Sequence, residues 1–596
     1  LPAHNAGGSY QIVIKTDDTT ITLNDILFGD VWVCSGQSNM ELPVYRVLPL
    51  YKYIDANPNI RQFLVPQTYN FLSPQNDFAS GQWVRATPES IMDFTAVGYF
   101  FATELYRKYN VPVGLINNAL GGSPVESWIS EDSLKQYPAL YQEAVRYKNQ
   151  SMIDSIIAAD KIRSDAWHSE LYKEDKGSGA VPWYSENLDT GDWSKINIPG
   201  YWNEDVNGVV WFRKTIDIPS ELAGKSALLL LGAIVDADDV YVNGKWVGNT
   251  TYMYPPRRYN VPENLLKSGN NEITVRVVSR IGRGGFVEDK YYGLEFDDND
   301  YSAGLADAAH LTDAAGSMDL ADSADSAADK VIKPIVRINL NGEWLYKIGA
   351  EKEALQPETF IRWKPACLYN AMLAPLLNYT VKGVIWYQGE SNTARANDYK
   401  KEFTTLINDW RSKWNQGDFP FLYVQLSNYM QAYDKPTESD WAVLRESQTN
   451  TLFVPNTAMA VTIDIGEWND IHPLNKKDVG KRLALAAEKI AYGLDIEYSG
   501  PVYKSMEIKD GKIILSFTHA DNGLMAKGGE LKEFAVAGAD GKFVWAKAKI
   551  EGSKVVVWND AVARPVSVRY AWADNPQNAN LYNVEGLPAV PFRASL

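Results

Sequence analysis

The chain has 596 residues, of which 45% are hydrophobic and 12% aromatic, so it is globular and long enough for about three to five domains. Its formal net charge of −16 argues against nucleic acid or an anionic membrane as a partner, because both attract basic surfaces. The two cysteines, Cys34 and Cys367, exclude a disulfide scaffold and a cysteine-rich metal site. No apolar run is long enough to span a membrane.

The chain opens with an alternating pattern, SYQIVIKT, that is typical of a β-strand. We expect residues 1–29 to be the remnant of an N-terminal β-domain whose beginning lies outside this chain. A signal segment would lie outside it too. We therefore expect an extracytoplasmic protein, located in the periplasm, in a lysosome-like compartment or in the medium.

Five apolar strands then alternate with helices along two separate stretches, residues 30–165 and 336–495. The strands are DVWVCS, VGLINNAL, GVIWYQG, FPFLYVQLS and TAMAVTID. Helical spacing follows most of them, first in a predicted helix that runs to Leu105 with Asp93 as its N-cap. Near-continuous apolar strands separated by helices predict a parallel sheet covered on both faces. The expected fold class is therefore α/β, in three layers, with one domain split in two.

Residues 166–290 interrupt this pattern with an alternation of period two, which is clearest over residues 272–277. The dipeptide Asn243-Gly244 predicts a hairpin turn. Together these signals predict an inserted antiparallel β-sandwich. Its segment DVYVNGKWVG and the leucine run before it resemble the sugar-binding jelly-roll domain that accompanies family 2 glycoside hydrolases.

Two further segments complete the predicted organisation. Residues 291–335 are acidic and rich in Ala and Ser, which predicts a linker or surface loop. Their aspartates lack the order of an EF-hand loop, and this disfavours a calcium site. Residues 496–596 return to β alternation and predict a C-terminal β-domain.

Hydroxyl, amide and glycine residues follow the predicted strands of the α/β domain, where parallel sheets bind their ligands. These groups are SGQSN at 35–39, GGS at 121–123, QGESN at 388–392 and the segment from Asp464 to His472. Each group alone is typical of a turn or a loop. Their joint occurrence at consecutive strand ends favours a site for acyl transfer.

Acyl transfer needs a serine whose proton is taken by an imidazole, and N–H donors for the negative oxygen of the intermediate. Ser38 fits the nucleophile, with Ser35 and Gly36 shaping the turn that presents it. His472 lies beside a carboxylate at a strand-to-helix junction, unlike the other histidines, His4, His168, His310 and His519. Cys34 adjoins no basic residue and is read as a buried apolar side chain.

Four segments now carry a family resemblance: CSGQSNM, NNALGGSPVESW, GVIWYQGESN and DIHPLNKKDVGKRLAL. They resemble the motif blocks of the sialate O-acetylesterase family, which belongs to the SGNH-type (GDSL-like) serine esterases, and the closing segment resembles that family too. The resemblance implies Ser38 as nucleophile and His472 as general base. It implies an oxyanion hole made by Ser38, Gly122 and Gln388. Supporting residues are expected at Asn39, Gly121, Glu390 and Asn392.

The third member of the triad is left open by the sequence. Broader SGNH enzymes place an Asp three residues before the His, where this chain has Asn469. Asp470 is the family-like candidate and Asp464 the reserve. The inserted jelly roll also departs from the plain layout of the family.

The expected function is a carbohydrate O-acetylesterase that needs no metal and no cofactor, with sialate esters ranked above acetylated xylan or pectin. The partner is an acetylated carbohydrate, with no nucleic acid and no membrane insertion. A sialate carboxylate would favour a nearby arginine, and the candidates are Arg46, Arg283 and Arg395. The imidazole is expected to titrate near its ordinary value of about 6.5.

Two other classes of protein compete with the esterase. A glycoside hydrolase would use Glu126 and Glu390 as its carboxylate pair, but it would leave Ser38 and His472 without a role. A non-catalytic carbohydrate-binding protein is disfavoured by the complete set of Ser, Gly, Gln and His groups.

Overall fold

The structure, a computed structural model, describes residues 4–48, 50, 51, 54–202, 206–296 and 336–596. The chain divides into two compact units. The first comprises Leu1–Val47, Ile54–Gln150 and Phe360–Leu596, and the second Leu48–Tyr53 and Ser151–Thr359. The acidic stretch 297–335, which includes His310, lies outside the described residues.

A seven-stranded sheet forms the core of the first unit. We number its strands β1 Asp30–Gly36, β2 Ile60–Leu64, β3 Trp83–Arg85, β4 Val113–Ala119, β5 Gly383–Tyr387, β6 Phe421–Val424 and β7 Thr457–Ala460. Their order across the sheet is β7-β6-β5-β1-β4-β2-β3, and neighbours are parallel except for β2 and β3. The five predicted strands are confirmed. Their continuous apolar character reflects burial on both faces, as at Trp32, Leu115 and Ile385.

The strands β2 and β3 were not predicted from the sequence. β2 carries Arg61 and Gln62 within its five residues, so it lacks an apolar run. Gln62 is nevertheless buried, because its side-chain oxygen accepts from the Thr95 N–H at 2.8 Å and its amide donates to the Asp93 carbonyl at 3.2 Å. A buried polar side chain satisfied in this way hides a strand from a hydrophobic pattern.

Four long helices of this unit correspond to the predicted ones: α1 Ala96–Tyr109, α2 Ala396–Trp414, α3 Asp440–Thr449 and α4 Lys476–Ile490. Shorter helices are Ser38–Glu41, Val44–Val47, Glu131–Leu134 and Pro138–Arg146. The predicted N-cap Asp93 is wrong, because Asp93 ends a separate 3₁₀ turn, Ser90–Asp93. Thr95 caps α1 instead, and its hydroxyl accepts from the Gly98 N–H at 3.3 Å. Within the described part of the chain, no helix is long and apolar enough to cross a membrane.

The longer segment of the second unit contains most of the helix Gln150–Glu174 and continues as antiparallel sheets. One sheet has, in spatial order, Lys245–Thr250, Ala237–Val242, Gly269–Ser279, Asn207–Ile218, Gly342–Lys352 and Ser194–Ile198. Another has Arg258–Val261, Ala227–Leu231, Tyr292–Phe296 and Val336–Asn339, and a small third sheet has Ile234–Val235, Gly285–Phe286 and Gly200–Tyr201. Phe212 and Val275 of the first sheet share one buried core with Leu229 and Leu294 of the second.

The predicted hairpin of this unit is confirmed. Asn243 and Gly244 have φ angles of 46° and 72°, as a two-residue turn of this kind requires. Val242 pairs with Lys245 directly across the turn. The strand that was predicted over residues 272–277 is part of Gly269–Ser279, with its apolar side chains buried.

The boundaries of the insertion differ from those expected. We expected the second esterase segment to begin at 336, but Val336–Asn339 and Gly342–Lys352 pair with strands of the inserted sheets. Tyr292–Phe296, expected to start a linker, is a buried strand of the same unit. The second unit therefore runs to Thr359, and its last strands were assigned to the wrong domain because sequence alternation does not reveal pairing partners.

The remaining parts of the first unit are β structures. Gly7–Lys15 and Thr20–Phe28 form a two-stranded antiparallel sheet. The C-terminal strands are Val502–Lys509, Lys512–Thr518, Leu524–Ala526, Phe534–Ala537, Val544–Trp545, Lys547–Glu551, Lys554–Trp558, Ser567–Tyr570, Leu581–Asn583 and Phe592–Ser595. Arg445 on α3 is fully buried and donates to the carbonyls of Ala573 and Asp574 at 2.7 and 2.9 Å. This arginine ties the C-terminal strands to the α/β sheet.

Candidate active site

The turn after β1 places Ser38 at the edge of the sheet. Gly36 has a φ of 128°, and a Cβ at this position would lie 2.2 Å from the Tyr387 carbonyl oxygen, so only glycine fits. Gln37 then caps the short helix Ser38–Glu41. Ser35 is fully buried and donates to the Asn118 carbonyl at 2.7 Å, whereas Ser38 is half-buried at the first helical position. Of the two serines, Ser38 is the one that a ligand can reach.

His472 meets Ser38 from a loop between β7 and α4. Its Nε2 atom lies 2.8 Å from the Ser38 hydroxyl oxygen, which is hydrogen-bond distance. The two residues are separated by 434 positions in the sequence. The structure therefore brings together the predicted nucleophile and the predicted base.

Asp470 is the carboxylate beside this imidazole. One of its oxygens accepts from the backbone N–H of His472 at 2.9 Å, and the same oxygen lies 3.9 Å from the ring atom Nδ1. That second distance is longer than a hydrogen bond, and such contacts often tighten only when substrate binds. Asp470 thus occupies the place of an orienting carboxylate.

Asp464, the reserve candidate, is engaged elsewhere. Its two oxygens accept from the Arg482 guanidinium at 2.6 and 2.7 Å, and one of them also accepts from the Tyr582 hydroxyl at 3.1 Å. These bonds connect α4 and the C-terminal strands to the end of β7. The geometry therefore favours Asp470 as the third member of the triad.

The imidazole is held neutral. Burial is the main cause, and the positive charges of Lys476 and Arg46 add to it, so that the pKa of His472 is lowered to about 3. The pKa of about 6.5 expected from the sequence is therefore too high for His472. A neutral imidazole is the form that can accept a proton from Ser38.

The turn Gly121-Gly122 after β4 lies beside the nucleophile. Ser38 is the first residue of its helix, where N–H groups have no partner inside the helix. Gly121 is next to Ser38, since a Cβ on it would lie 3.7 Å from the Ser38 Cβ. The following residue, Gly122, has a φ of 73° and no room for a side chain, because a Cβ there would lie 2.0 Å from the Trp363 ring. Ser38 and Gly122 can therefore supply the predicted oxyanion donors.

Gln388 does not fit the role of a third oxyanion donor. Its side chain is fully buried, and its amide nitrogen donates to Asn392 at 2.7 Å and to the Ser123 carbonyl at 3.3 Å. Its oxygen accepts from the Tyr399 hydroxyl at 2.8 Å. Because both amide hydrogens have protein acceptors, the prediction for Gln388 is corrected to a structural role.

The predicted supporting residues form a buried polar layer beneath the site. The Asn39 amide nitrogen donates to Glu390 at 2.6 Å and to the carbonyl of Ile471 at 2.9 Å. The Asn39 oxygen accepts from the ammonium group of Lys476 at 2.6 Å. Burial raises the pKa of Glu390. Asn39 therefore connects the strand end of β5 to the residue just before His472.

Lys476 is a functional candidate that the sequence reading missed. A signal for it exists: it is the first residue of α4, and a lysine at a helix N-terminus opposes the helix dipole. The side chain is fully buried, and burial lowers its pKa to about 7. A buried cation at an unfavourable helix end calls for an explanation beyond helix stability.

The carboxylates that a glycoside hydrolase would use are committed to other contacts. Glu126 is buried and accepts from Arg395 at 2.6 Å and from Asn392 at 3.0 Å. Arg395 also donates to Glu402 at 2.7 Å. Glu390 is bound to Asn39, as described above. Glu126 and Glu390 are therefore not arranged as the acid and base of a glycoside hydrolase.

The three arginines considered for a substrate carboxylate differ in position. Arg46 is near enough to His472 to lower its pKa. Arg395 belongs to the Glu126 cluster. Arg283 is in the second unit, where its guanidinium lies 4.8 Å from the centre of the Tyr201 ring. Of the three, only Arg46 has a described interaction with the Ser38–His472 pair.

An aromatic pair flanks the site. The rings of Phe360 and Trp363 are stacked with centroids 3.8 Å apart, and Phe360 is 42% exposed. The Trp363 indole donates to the Gly121 carbonyl at 2.9 Å and packs on Gly122. Aromatic faces of this kind bind the apolar faces of ligand rings. Cys34, by contrast, is fully buried and its thiol pKa is strongly raised by burial, as expected for a packing residue.

Comparison with known families agrees with this geometry. The family described as "Carbohydrate esterase, sialic acid-specific acetylesterase" matches residues 28–168 and 354–489, which carry every strand of the parallel sheet. The sugar binding domain of glycosyl hydrolases family 2 matches residues 164–311. The predicted resemblance to the sialate O-acetylesterase family is thus confirmed.

Individual relatives point the same way. Sialate O-acetylesterase of Mus musculus is 34% identical over 257 residues, covering 38% of this chain and 47% of that enzyme. The Homo sapiens enzyme of the same name is 32% identical over 284 residues, covering 43% and 54%. The chain spans about half the length of these curated relatives. A carbohydrate acetylesterase from Xanthomonas citri is 28% identical, with a TM-score of 0.59, covering 100% of this chain and 87% of that one.

Proposed function

We propose that this protein is a carbohydrate O-acetylesterase of the serine type. The observation that carries the proposal is the 2.8 Å contact between the Ser38 hydroxyl and His472 Nε2, next to the turn Gly121-Gly122. A serine, a neutral imidazole and two donors are the parts that acyl transfer needs. The matches to acetylesterases support the same chemistry.

The mechanism follows from these positions. The Ser38 oxygen attacks the acetyl carbonyl carbon while its proton passes to His472 Nε2. The N–H groups of Ser38 and Gly122 bind the oxygen that becomes negative. The sugar hydroxyl then leaves with the proton held by His472, and an acetyl group remains on Ser38. Water, deprotonated by the same imidazole, releases acetate and restores the serine.

Asp470 is proposed to stabilise the imidazolium that forms in each step. Its carboxylate oxygen is 3.9 Å from Nδ1 in the resting site, so a shift of about 1 Å would make a hydrogen bond. The architecture proposed around this site is an SGNH-hydrolase-like, three-layer fold, interrupted by a jelly roll and followed by a β-domain.

For the substrate, we propose acetylated sialic acid first and acetylated xylan or pectin as the alternative. The family description and the names of the relatives support sialate. So does Arg46, which can pair with a sialate carboxylate. The inserted sugar-binding domain supports a neutral polysaccharide instead. Because such glycans lie outside cells, we also propose an extracytoplasmic location.

The test is acetate release from two substrates, 9-O-acetylated sialic acid and acetylated xylan oligosaccharides, with Ser38→Ala as the control. We expect release by the wild type, faster on sialate, and none by the variant. A rate tens of times higher on xylan fragments would change the substrate. Hydrolysis of p-nitrophenyl glycosides with no release of acetate would overturn the esterase.

A further inference from the structure

The second layer of the site contains a buried cation with no role in the mechanism above. Lys476 has no exposed surface, and its ammonium nitrogen lies 2.6 Å from the Asn39 oxygen and 5.3 Å from the centre of the Tyr387 ring. Burying an ammonium group is costly unless it is compensated. The nearest bonded partner is a neutral amide, so the lysine serves more than charge neutralisation.

Asn39 links Lys476 to the loop that carries the catalytic base, His472. Its amide plane is fixed by Lys476 on the oxygen side and by Glu390 on the nitrogen side, at 2.6 Å in each case. The same nitrogen donates at 2.9 Å to the carbonyl of Ile471, the residue before His472. If the amide turned over, its oxygen would face the Ile471 carbonyl and the tether would be lost.

The charge of Lys476 also acts on the imidazole. The charged groups that interact with Lys476 are Glu390 on the β5 end, Asp470 and Glu467 on the His472 loop, and Arg46. Lys476 and Arg46 both disfavour the protonated form of His472. The three carboxylates favour the charged form of Lys476 and so preserve this effect.

We propose that Lys476 is a positioning residue of the esterase: it fixes the Asn39 amide, which tethers the loop that carries His472. The inference rests on the proposed function. It adds a residue that touches neither Ser38 nor the substrate and yet sets the placement of the base.

The test compares three variants with the wild type. Lys476→Met removes the charge and the donor but keeps an unbranched chain of similar length. Lys476→Arg keeps a cation. Lys477→Met removes the next lysine of α4, which is exposed, and serves as the matched control. Each is assayed for kcat and KM from about pH 2.5 to 8 on an acetylated substrate, for the rate of fluorophosphonate labelling of Ser38, and for folding by circular dichroism.

We expect Lys476→Met to lower kcat by about 10- to 100-fold with little change in KM, because the base is misplaced. The acid limb of its kcat/KM profile, and of its labelling rate, should move up by about one pH unit, because a nearby positive charge is gone. Lys476→Arg should keep the limb of the wild type, and Lys477→Met should match the wild type in every measurement.

The outcomes are decisive in each case. A kcat within twofold of the wild type, or an acid limb that does not move, overturns the inference. If Lys476→Met fails to fold, Lys476→Gln replaces it, and failure of both to fold makes Lys476 a structural residue and also overturns the inference. A wild type that releases no acetate counts against the proposed function, whereas an active wild type with insensitive variants counts only against the role of Lys476.

Discussion

Buried charges are treated differently in the inserted unit and at the edge of the parallel sheet. In the inserted unit, Arg257 and Asp238 are both fully buried and share a 2.6 Å hydrogen bond. The same guanidinium donates to the carbonyls of Met253, Pro255 and Asp236 at 3.0, 2.8 and 2.6 Å. Every side of this cation is satisfied, so the pair fixes a structure.

At the sheet edge, the buried Lys476 and Glu390 are separated by the amide of Asn39. Burial lowers the pKa of Lys476 and raises that of Glu390, as it raises that of Asp238 in the inserted unit. The difference is that Lys476 and Glu390 are joined only through Asn39, and the charge of Lys476 acts on the neighbouring imidazole. The comparison teaches that a directly paired charge stabilises a fold, whereas an incompletely paired one remains available to chemistry.

The largest expected effect is at the nucleophile. Ser38→Ala should lower kcat/KM by about 10⁴-fold or more, because it removes the hydroxyl that lies 2.8 Å from the imidazole. The thermal midpoint should not fall, since the half-buried hydroxyl packs nothing essential. Acetate release and differential scanning calorimetry measure both. Fluorophosphonate labelling found at Ser391 or Ser35 would contradict the assignment of the nucleophile.

The next largest effects are expected for substitutions of Asp470 and Asp464 at the edge of the sheet. Asp470→Asn should lower kcat by roughly 10- to 10⁴-fold with the fold intact, because it removes the carboxylate beside the imidazole. Asp464→Asn should lower the thermal midpoint instead, since it breaks the pair with Arg482. Measuring kcat and the midpoint for both variants separates the two roles. The reverse pattern would place Asp464 in the triad.

Breaking the ion pair of Arg257 and Asp238 in the inserted unit should lower the free energy of unfolding and leave kcat unchanged. Arg257→Met leaves the Asp238 charge buried without its partner, which costs about 3–5 kcal/mol of unfolding free energy. Replacing both residues, as Arg257→Met with Asp238→Leu, should recover much of this loss. Chemical denaturation measures it, with the exposed neighbour Arg258→Met as control. A loss of kcat in the folded variant would show that this pair also serves catalysis.

A smaller effect is expected at the aromatic pair. Trp363→Ala should raise KM for an acetylated sugar by about three- to tenfold, because a stacking surface beside Gly122 is lost. Trp363→Phe should retain most of the binding. Trp545→Ala removes an exposed tryptophan of the C-terminal strands and should change nothing. Equal KM values for Trp363→Ala and the wild type would remove the ring from the substrate site.

The smallest effect concerns pH. Because the pKa of His472 is lowered to about 3, the imidazole is neutral throughout the range from pH 5 to 8. The kcat/KM of the wild type should therefore change by less than about threefold between pH 5 and 6.5, where Lys476 also stays charged, and fall at more acidic pH. Initial rates on p-nitrophenyl acetate in overlapping buffers check this. A midpoint near 6.5 would mean that the site does not depress the basicity of His472.

The sequence was a good guide wherever one residue type had one physical reason. Five apolar strands and the turn at Gly36 follow from local sequence pattern, and the pairing of Ser38 with His472 follows from the chemistry that acyl transfer requires. It misled where a side chain had competing partners. Gln388 has the right chemistry for an oxyanion donor, but its hydrogens are taken by Ser123 and Asn392.

Non-local pairing was the other source of error. Gly342–Lys352 has an alternating pattern that suits any antiparallel sheet, and only its partner, Asn207–Ile218, assigns it to the inserted unit. Thr95 replaced Asp93 as N-cap because the intervening residues close a separate turn. The pKa of His472 depends on burial and on how close the Lys476 charge lies to the ring, and one sequence gives neither.

The split of the parallel sheet has a consequence for synthesis. β1 needs β4 on one side and β5 on the other, and β5 is translated only after the whole inserted unit. β5 begins at Gly383, 347 residues after β1 ends at Gly36, which takes roughly 17 to 70 seconds at the usual rate of translation. During that interval the edge of β1 is unpaired in the growing chain. Chaperones that shield an open strand edge on the ribosome should therefore affect the yield of this protein more than its final activity.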